Sequence, residues 1–474
     1  MEAQRKNREV HLRALCITLA IGAVIWFIPS PVDLQEKAWH LFAIFVATIV
    51  GFIIKPLPMG GVAILSITAV VLTGTLKLEE ALSGFQNTTI WLIVIAFFIS
   101  RGFIKTGLGN RIAYMFVKLF GRKTLGLSYS LLVSDLILSP AMPSNTARGG
   151  GIIFPIAHSL SRTFGSDPEN GTEKKVGSFL MQVAFQGVNI TSAMFMTAMA
   201  ANPLAATLAH NAGVTITWTD WALAAIVPGL ASLIVVPYFI YKVYPPEIKE
   251  TPAASEIATE KLKEMGPLKK SEWSMIMVFL LILALWIFGG KLGIDATTTA
   301  LIGLSVLLLT SVLTWNDVKK EEGAWDTLVW FASLVMMATF LNSLGMIPWF
   351  SHLMGTAVHG LPWIWALIAL ALIFFYSHYF FASNTAHVSA MYAAFLGVAI
   401  VAGAPPMLAA LLLGFIGNLF GCLTHYGSGP APVFFGSGYV PQDKWWLLGF
   451  SVSVIHLIIW GVIGGLWWKV LGIW

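Results

Sequence analysis

Two polar segments, MPSNTARGGG (residues 142–151) and ASNTAHVSA (residues 382–390), decide the fold, because each interrupts a long apolar stretch. The surrounding stretches, 124–163 and 361–402, are long enough to enter a membrane, turn and leave on the side of entry. Irregular backbone at that depth requires burial in protein or contact with a cavity. We therefore predict two re-entrant helical hairpins, with the polar segments at their tips.

The chain as a whole is strongly apolar. It is 57% hydrophobic and 11% charged over 474 residues, whereas soluble domains carry about a quarter charged residues. The apolar runs are unbroken, which excludes the alternating strands of a β-barrel. We predict an all-α polytopic membrane protein with about 11 transmembrane helices besides the hairpins. The candidate spans are 12–28, 38–55, 59–76, 88–104, 178–210, 219–241, 273–290, 297–314, 325–343, 406–430 and 445–468.

The distribution of positive charge predicts the orientation. With the N-terminus inside, 23 of the 28 Lys and Arg residues lie on the inner side, four lie outside, and Arg148 stands apart. Cytoplasmic loops of membrane proteins carry this excess, so the basic composition does not indicate nucleic-acid binding. We expect a bacterial inner membrane protein with a cytoplasmic N-terminus and an extracellular C-terminus. The charged stretch 242–272 is expected to be a cytoplasmic linker without a core, or alternatively a regulatory loop.

An internal repeat relates the two hairpins. An offset of 239 residues pairs Ser144 with Ser383, and it also pairs Gly84 with Gly323, Thr88 with Thr327 and Trp91 with Trp330. An odd number of crossings separates the copies, so the repeat is inverted. Inverted repeats with discontinuous helices are typical of secondary transporters, whose site lies near the bilayer midplane. Two further interruptions, GVNITSAMF (187–195) and HYGSGPAP (425–432), predict broken helices; the offset places residue 191 opposite residue 430.

The SNT tripeptides at the tips favour anion binding. Ser144 and Ser383 are good N-caps, so the returning helices should begin there and direct free N–H groups and a positive dipole at the tip. Two such tips approaching from opposite sides suit a molecule with a carboxylate at each end. A single SNT would be only a helix cap, whereas two copies at matching depth indicate a site.

Arg148 and His387 occupy equivalent places in the repeat, four residues after each Ser. Ionisable groups within a membrane are costly and usually functional, which favours a shared role over a snorkelling arginine and a core histidine. The spacing of the histidines and of the two cysteines indicates no metal site and no disulfide framework, and we expect no cofactor.

The paired SNT segments, PSNTARGG (143–150) and FGSG (435–438) resemble the divalent anion/sodium symporter (DASS) family over nearly the whole chain. The run MPSNTARGGGIIFPI (142–156) looks most like its exchanger branch, which includes plastid 2-oxoglutarate/malate translocators and bacterial citrate or tartrate/succinate antiporters. The resemblance implies an elevator mechanism and a homodimer within membrane lipid. It implies scaffold parts at 1–123 and 273–360, transport parts at 124–241 and 361–474, and a linker at 242–272.

The resemblance also assigns a site. It makes Ser144, Asn145, Thr146, Ser383, Asn384 and Thr385 the contacts of the substrate carboxylates, with Ser428, Gly429 and Asn189 in the pocket wall. In sodium-coupled members, Gly-rich segments beside each SNT help to hold Na⁺, but here NITSAMFMTAMAANP (189–203) has no Gly. We therefore expect Arg148 and His387 to replace the coupling cation with two unmatched positive charges.

The expected function is sodium-independent exchange of C4 or C5 dicarboxylates such as succinate, malate, fumarate or 2-oxoglutarate. A sodium-coupled di- or tricarboxylate symporter is the first alternative. A channel is a second, and an intramembrane enzyme that uses Ser383 and His387 as nucleophile and base is a third. The repeat argues against an enzyme, because Arg148 is a poor base in the equivalent position.

Overall fold

The computed structural model describes residues 10–357 and 360–474, and its regular structure is helical apart from an isolated bridge between Lys123 and Glu250. The basic residues Arg5, Lys6 and Arg8, which contribute to the predicted excess of positive charge on the inner side, lie outside the described residues.

The α-helices are α1 (Leu12–Phe27), α2 (Glu36–Ile54), α3 (Met59–Leu72), α4 (Leu78–Ala81), α5 (Thr88–Thr106), α6 (Leu108–Phe120), α7 (Thr124–Leu138), α8 (Asn145–Arg148), α9 (Phe154–Thr163), α10 (Gly177–Met194), α11 (Ala201–Asn211), α12 (Trp218–Val243), α13 (Pro252–Met265), α14 (Lys270–Phe288), α15 (Ala296–Leu309), α16 (Trp315–Lys319), α17 (Glu322–Ser343), α18 (Met346–Ala357), α19 (Trp363–Tyr376), α20 (Asn384–Val401), α21 (Pro406–Leu419), α22 (Ala431–Gly436), α23 (Gln442–Ile458) and α24 (Gly465–Val470).

Long apolar helices dominate this architecture. Within the described ranges, nine helical segments are long and apolar enough to cross a membrane, and four shorter apolar helices accompany them. Their outer faces carry exposed Leu, Ile, Val and Phe side chains, as contact with lipid requires. The prediction of an all-α polytopic membrane protein is confirmed.

The first hairpin consists of α7, a 3₁₀ turn at Ser139–Ala141, the tip, and a returning helical run of α8, a π-helical turn at Gly149–Ile153 and α9. The second consists of α19, a 3₁₀ turn at Ser377–Phe380, the tip and α20. In both hairpins the returning segment packs against the entering helix. Helices α7 and α19 begin 239 residues apart, as do α8 and α20, so the sequence offset is also an offset of backbone structure.

The offset does not continue downstream of the hairpins. In the first repeat residues 164–176 separate the hairpin from α10, whereas in the second only residues 402–405 separate it from α21. The helix breaks consequently fall after Met194 and after Leu419, so pairing residue 191 with residue 430 was wrong. The interruption predicted at 187–195 lies within α10 except for its last residue, and the irregular backbone follows at Phe195.

Two elements differ from the sequence prediction on one side of the molecule. An additional helix, α6, follows the fourth span, and helix α13 of the expected linker packs against it. Ala254 and Ala258, one turn apart on α13, are buried, because small side chains allow the two helices to approach closely. Arg111 of α6 forms a buried ion pair with Glu272, its Nε lying 2.6 Å from Oε1. The segment 242–272, expected as a linker without a core, therefore contains a helix with buried residues and contributes Glu272 to a buried ion pair.

Candidate functional site

The two hairpin tips begin their returning helices as predicted. The Ser144 side chain accepts a hydrogen bond from the backbone N–H of Ala147 at 3.1 Å. The Ser383 side chain accepts one from the N–H of Ala386 at 3.4 Å. Each serine therefore satisfies one of the free N–H groups of its helix, and the remaining ones, with the positive helix end, face the tip. The prediction of N-caps at Ser144 and Ser383 is confirmed.

Two glycines connect the tips to the loop that follows α21. A Cβ atom on Gly429 would lie 2.0 Å from Thr146 Oγ1 and 3.6 Å from Asn145 Oδ1. A Cβ atom on Gly421 would lie 2.8 Å from Asn189 Oδ1 and 3.0 Å from Asn384 Nδ2. The Cβ atom of Ser428 is also close, at 3.2 Å from the same position.

These contacts assemble most of the expected site. They join the first tip, the second tip, α10 and the 423–430 loop through a continuous set of neighbours. Thr146 and Gly429 are the exposed members, Thr385 is partly exposed, and Asn145, Asn189, Asn384 and Ser428 are buried. Six of the nine expected residues therefore form one polar cluster at the junction of the two repeats, although they lie far apart in sequence: Asn145, Thr146, Asn189, Asn384, Ser428 and Gly429.

Arg148 is fully buried and every nitrogen of its guanidinium has a partner. Its Nη1 donates to the backbone carbonyls of Met142, at 2.5 Å, and Ala198, at 2.6 Å. Its Nη2 donates to Ser192 Oγ at 2.9 Å, and its Nε donates to Asp135 Oδ1 at 3.1 Å. The guanidinium therefore links the first tip by hydrogen bonds to the irregular segment after α10, through Ala198, and to helix α7, through Asp135.

The expectation of an unmatched cation at the first tip was wrong. Asp135, fully inside the protein on α7, forms an ion pair with Arg148. Its second oxygen accepts a hydrogen bond from the Thr191 hydroxyl. The positive charge of Arg148 and the negative charge of Asp135 cancel. The pair can therefore be buried, because a hydrogen-bonded ion pair is tolerated inside a protein whereas a bare charge is costly.

His387 has a different environment. His378 Nε2 donates to the carbonyl of Gly427 at 2.7 Å, which leaves His378 Nδ1 to accept from His387 Nδ1–H at 3.0 Å. His387 Nε2 is then an acceptor and lies 3.1 Å from Ser377 Oγ, whose hydroxyl can donate to it in place of the Phe374 carbonyl at 3.2 Å. All three contacts can form while both histidine rings are neutral. The hydrogen bonds of His387 therefore do not require the positive charge that the sequence analysis expected there.

The aromatic surroundings of His387 agree with a neutral ring. Its ring lies parallel to that of Phe381, with centroids 4.2 Å apart, and stacks on Phe420 at 4.5 Å. Phe374 packs against it at 4.8 Å, and the 239-residue offset places Phe374 opposite Asp135. The repeat therefore has a carboxylate beside Arg148 and a phenyl ring beside His387. The two halves differ in charge at their tips.

Ser383 and His387 do not form a nucleophile–base pair. The Ser383 hydroxyl oxygen caps α20, while the His387 ring nitrogens contact Ser377 and His378. The geometry gives no support to the hydrolase alternative. Among the described residues, no group of three or more His, Cys, Asp or Glu side chains could hold a metal ion.

A chain of asparagines links the two tips. Asn384 Nδ2 donates to the carbonyls of Gly417, at 3.1 Å, and Asn418, at 3.4 Å. Asn418 Nδ2 donates to Asn202 Oδ1 at 2.6 Å. Asn202 Nδ2 donates to the carbonyl of Ser192 at 2.7 Å, and Ser192 contacts Arg148. Hydrogen bonds, joined through the covalent structure of Asn418, Asn202 and Ser192, therefore connect the second tip to Arg148.

Sequence reasoning missed Asp135, Asn202, Asn418 and Gly421. Asp135 had a detectable signal, since it is the one acidic residue in 124–163 and precedes Arg148 by thirteen residues. The asparagines had a weaker signal, being amides within apolar spans. Gly421 had none, because its role depends on close approach between elements that are distant in sequence.

Several known proteins are similar to this chain. Residues 9–474 match the family model described as the sodium:sulfate symporter transmembrane region. The chain is 71% identical to the putative malate transporter YflS of Bacillus subtilis, covering 99% of this chain and 98% of that one. It is 54% identical to the chloroplastic dicarboxylate transporter 1 of Spinacia oleracea, over 98% and 82% of the two chains. It is 40% identical to the inner membrane protein YbhI of Escherichia coli, over 96% and 97%.

A solved structure has the same fold. The crystal structure of the Alcanivorax borkumensis YdaH transporter superimposes with a TM-score of 0.58 at 13% identity, covering 96% of each chain.

Proposed function

This chain belongs to the divalent anion/sodium symporter family, and from that premise we propose that it is a secondary transporter exchanging C4 or C5 dicarboxylates without sodium. Membership makes it an integral membrane transporter rather than an enzyme. Relatives at 71% and 54% identity are named malate and dicarboxylate transporters, which supports a dicarboxylate substrate here. The site supports it further, since two capped helix starts from opposite repeats meet one polar cluster.

The observation that carries sodium independence is the oxygen cage around Arg148. Its members are the carbonyls of Met142 and Ala198, the hydroxyl of Ser192 and the carboxylate of Asp135. Such a set of oxygens suits a hard cation, but the guanidinium already occupies it. We propose that Arg148 takes the place of the coupling cation, and that His387 fills the equivalent position as a hydrogen-bonding ring.

Exchange requires that the carrier crosses mainly when loaded. Within the described residues, the buried Oδ1 atoms of Asn189 and Asn384 and the Ser428 hydroxyl have no hydrogen-bond partner. An unpaired buried polar group costs about 1–3 kcal/mol, and the two positive helix ends add to the cost of moving the site through the scaffold. A bound dianion that accepts hydrogen bonds from the free N–H groups of the helix ends and from the Ser428 hydroxyl lowers the barrier, so transport in one direction depends on transport in the other.

The elevator mechanism, the homodimer, the orientation and the plasma-membrane location are further parts of this proposal. The odd number of membrane crossings expected from the sequence between the two hairpins supports opposite entry sides. A Bacillus relative supports a bacterial plasma membrane, and the positive-inside distribution supports a cytoplasmic N-terminus.

Counterflow in proteoliposomes tests the function. With unlabelled malate inside, we expect uptake of labelled malate at least about tenfold faster than in vesicles that contain only buffer. External succinate, fumarate and 2-oxoglutarate should compete, while lactate, which has one carboxylate, should not. If no dicarboxylate inside accelerates uptake, the proposed function is wrong; if ion current greatly exceeds the counterflow rate, the protein is a channel.

Substitution of Gly429 tests the contact between the first tip and the pocket loop. In Gly429→Ala, the new methyl group would overlap Thr146 Oγ1, and β-branched Thr146 has few other rotamers. We expect the apparent KM for the dicarboxylate to rise at least about fivefold. Gly436→Ala is the matched control, because a Cβ there meets no atom within 4 Å. Equal KM values for the two variants would remove Gly429 from the site.

A further inference from the structure

We propose that Asn189, Asn384 and Ser428 form a hydroxyl-recognition subsite, which makes the carrier prefer a dicarboxylate that bears a hydroxyl group over the same dicarboxylate without it. The inference rests on the proposed dicarboxylate exchange and adds to it a basis for choosing among substrates.

The orientation of the Asn384 amide is fixed by its neighbours. Its NH₂ group donates to two backbone carbonyls, of Gly417 and Asn418, and carbonyls cannot donate in return. The opposite arrangement, with oxygen towards these carbonyls, would place acceptors against acceptors. Asn384 Oδ1 consequently points elsewhere, and it is buried without a partner in the part of the chain that the structure describes.

Asn189 has the same polarity. Its Nδ2 donates to the carbonyl of Phe185, one turn earlier on α10, at 3.2 Å. Its Oδ1 is also buried and has no partner among the described residues. Two amides from opposite repeats therefore keep an acceptor oxygen unused.

The side chains of Asn189, Asn384 and Ser428 meet at Gly421. The position of a Cβ on this residue lies 2.8 Å from the unused Asn189 Oδ1, 3.0 Å from Asn384 Nδ2, the amide nitrogen next to the other unused oxygen, and 3.2 Å from Ser428 Cβ. Asn189 Oδ1 and Asn384 Nδ2 are therefore less than 6 Å apart. The Ser428 hydroxyl, also unpartnered within residues 10–357 and 360–474, completes the group. This cluster of side chains at Gly421 is an observation separate from the helix starts at Ser144 and Ser383, which support carboxylate binding.

The chemistry of the unused atoms restricts what can bind them. A carboxylate has only acceptor atoms, so it cannot pair with an amide oxygen and suits the N–H groups of the helix starts instead. An aliphatic hydroxyl donates one hydrogen to an amide oxygen and can accept one from Ser428. A site built to pair with a substrate hydroxyl discriminates against the analogue that lacks it, since its own polar groups are then left unpaired.

Competition in counterflow tests this subsite. Uptake of labelled malate into malate-loaded proteoliposomes is measured with unlabelled malate or succinate outside. We expect half-inhibition by succinate at a concentration at least about tenfold above that for malate. Equal values would overturn the subsite and mean that water pairs with these atoms, while leaving dicarboxylate exchange intact. Absence of malate counterflow would instead overturn the proposed function.

Two variants locate the preference. Asn189→Leu and Asn384→Leu keep approximate shape but remove the amide oxygen, and we expect each to move the succinate-to-malate ratio towards one. Gln182→Leu is the matched control, because it removes a buried amide from the same helix two turns away and should retain the wild-type ratio. A wild-type ratio in both asparagine variants would contradict the assignment. Where a variant fails to fold, the wild-type competition decides.

Discussion

Replacement of Arg148 with Met should abolish exchange, with a loss of at least about 100-fold. The substitution leaves the Asp135 carboxylate buried without its cation and removes the donor from the carbonyls of Met142 and Ala198. Breaking a buried pair by removing one partner costs about 3–5 kcal/mol. Thermal unfolding in detergent and counterflow in proteoliposomes measure the two effects separately.

A control and a double variant make this result specific. Arg162→Met removes an exposed arginine of the same hairpin, which pairs with the partly exposed Asp167, and we expect no resolvable change in exchange. In Asp135→Leu/Arg148→Met no charge remains buried at the first tip, so the unfolding temperature should recover relative to Arg148→Met. Exchange should stay lost, because the carbonyls at the tip still lack a donor. Wild-type exchange in the double variant would contradict the role given to the guanidinium.

Conversion of His387 to Arg should also abolish exchange. The His387 ring lies between the rings of Phe381 and Phe420, and Phe374 stands where the first repeat has Asp135. A permanent cation there has no carboxylate partner, and an unpaired charge in apolar surroundings is strongly destabilising. Size-exclusion profiles and counterflow rates provide the measurement.

Companion variants separate charge from shape. His387→Gln keeps a donor and an acceptor near Ser377 and His378, and we expect it to retain measurable exchange. His352→Arg introduces the same charge at an exposed position and should behave as wild type. Exchange by His387→Arg at the wild-type rate would contradict a neutral ring and restore the interpretation of a second fixed cation.

The hairpins were predictable from sequence because their causes are local. A polar tripeptide inside an apolar stretch requires a turn at depth, and serine before the returning helix provides the cap. The offset of 239 residues carried the same inference to the second copy. Helix starts at Asn145 and Asn384 agree with this within one residue.

The charge balance of the site was not predictable to the same degree. Arg148 was expected to be unmatched, but its partner Asp135 lies on the preceding arm of the hairpin, and only the folded turn brings the two together. The position at which α10 ends was also not predictable from the repeat, because loops of different length follow the two hairpins. The packing of α13 on α6 involves the small residues Ala254 and Ala258. The sequence does not show that these two residues form a packing face until the partner helix, α6, is known.

Uptake without internal substrate tests the central claim most directly. Proteoliposomes that contain only buffer are diluted into labelled malate with an inward sodium gradient, and parallel vesicles are loaded with malate in the absence of sodium. The account predicts background uptake in the first case and rapid uptake in the second, because Arg148 occupies the cation cage and the empty site crosses slowly. Robust sodium-driven uptake into the empty vesicles would contradict it and establish a sodium-coupled symporter.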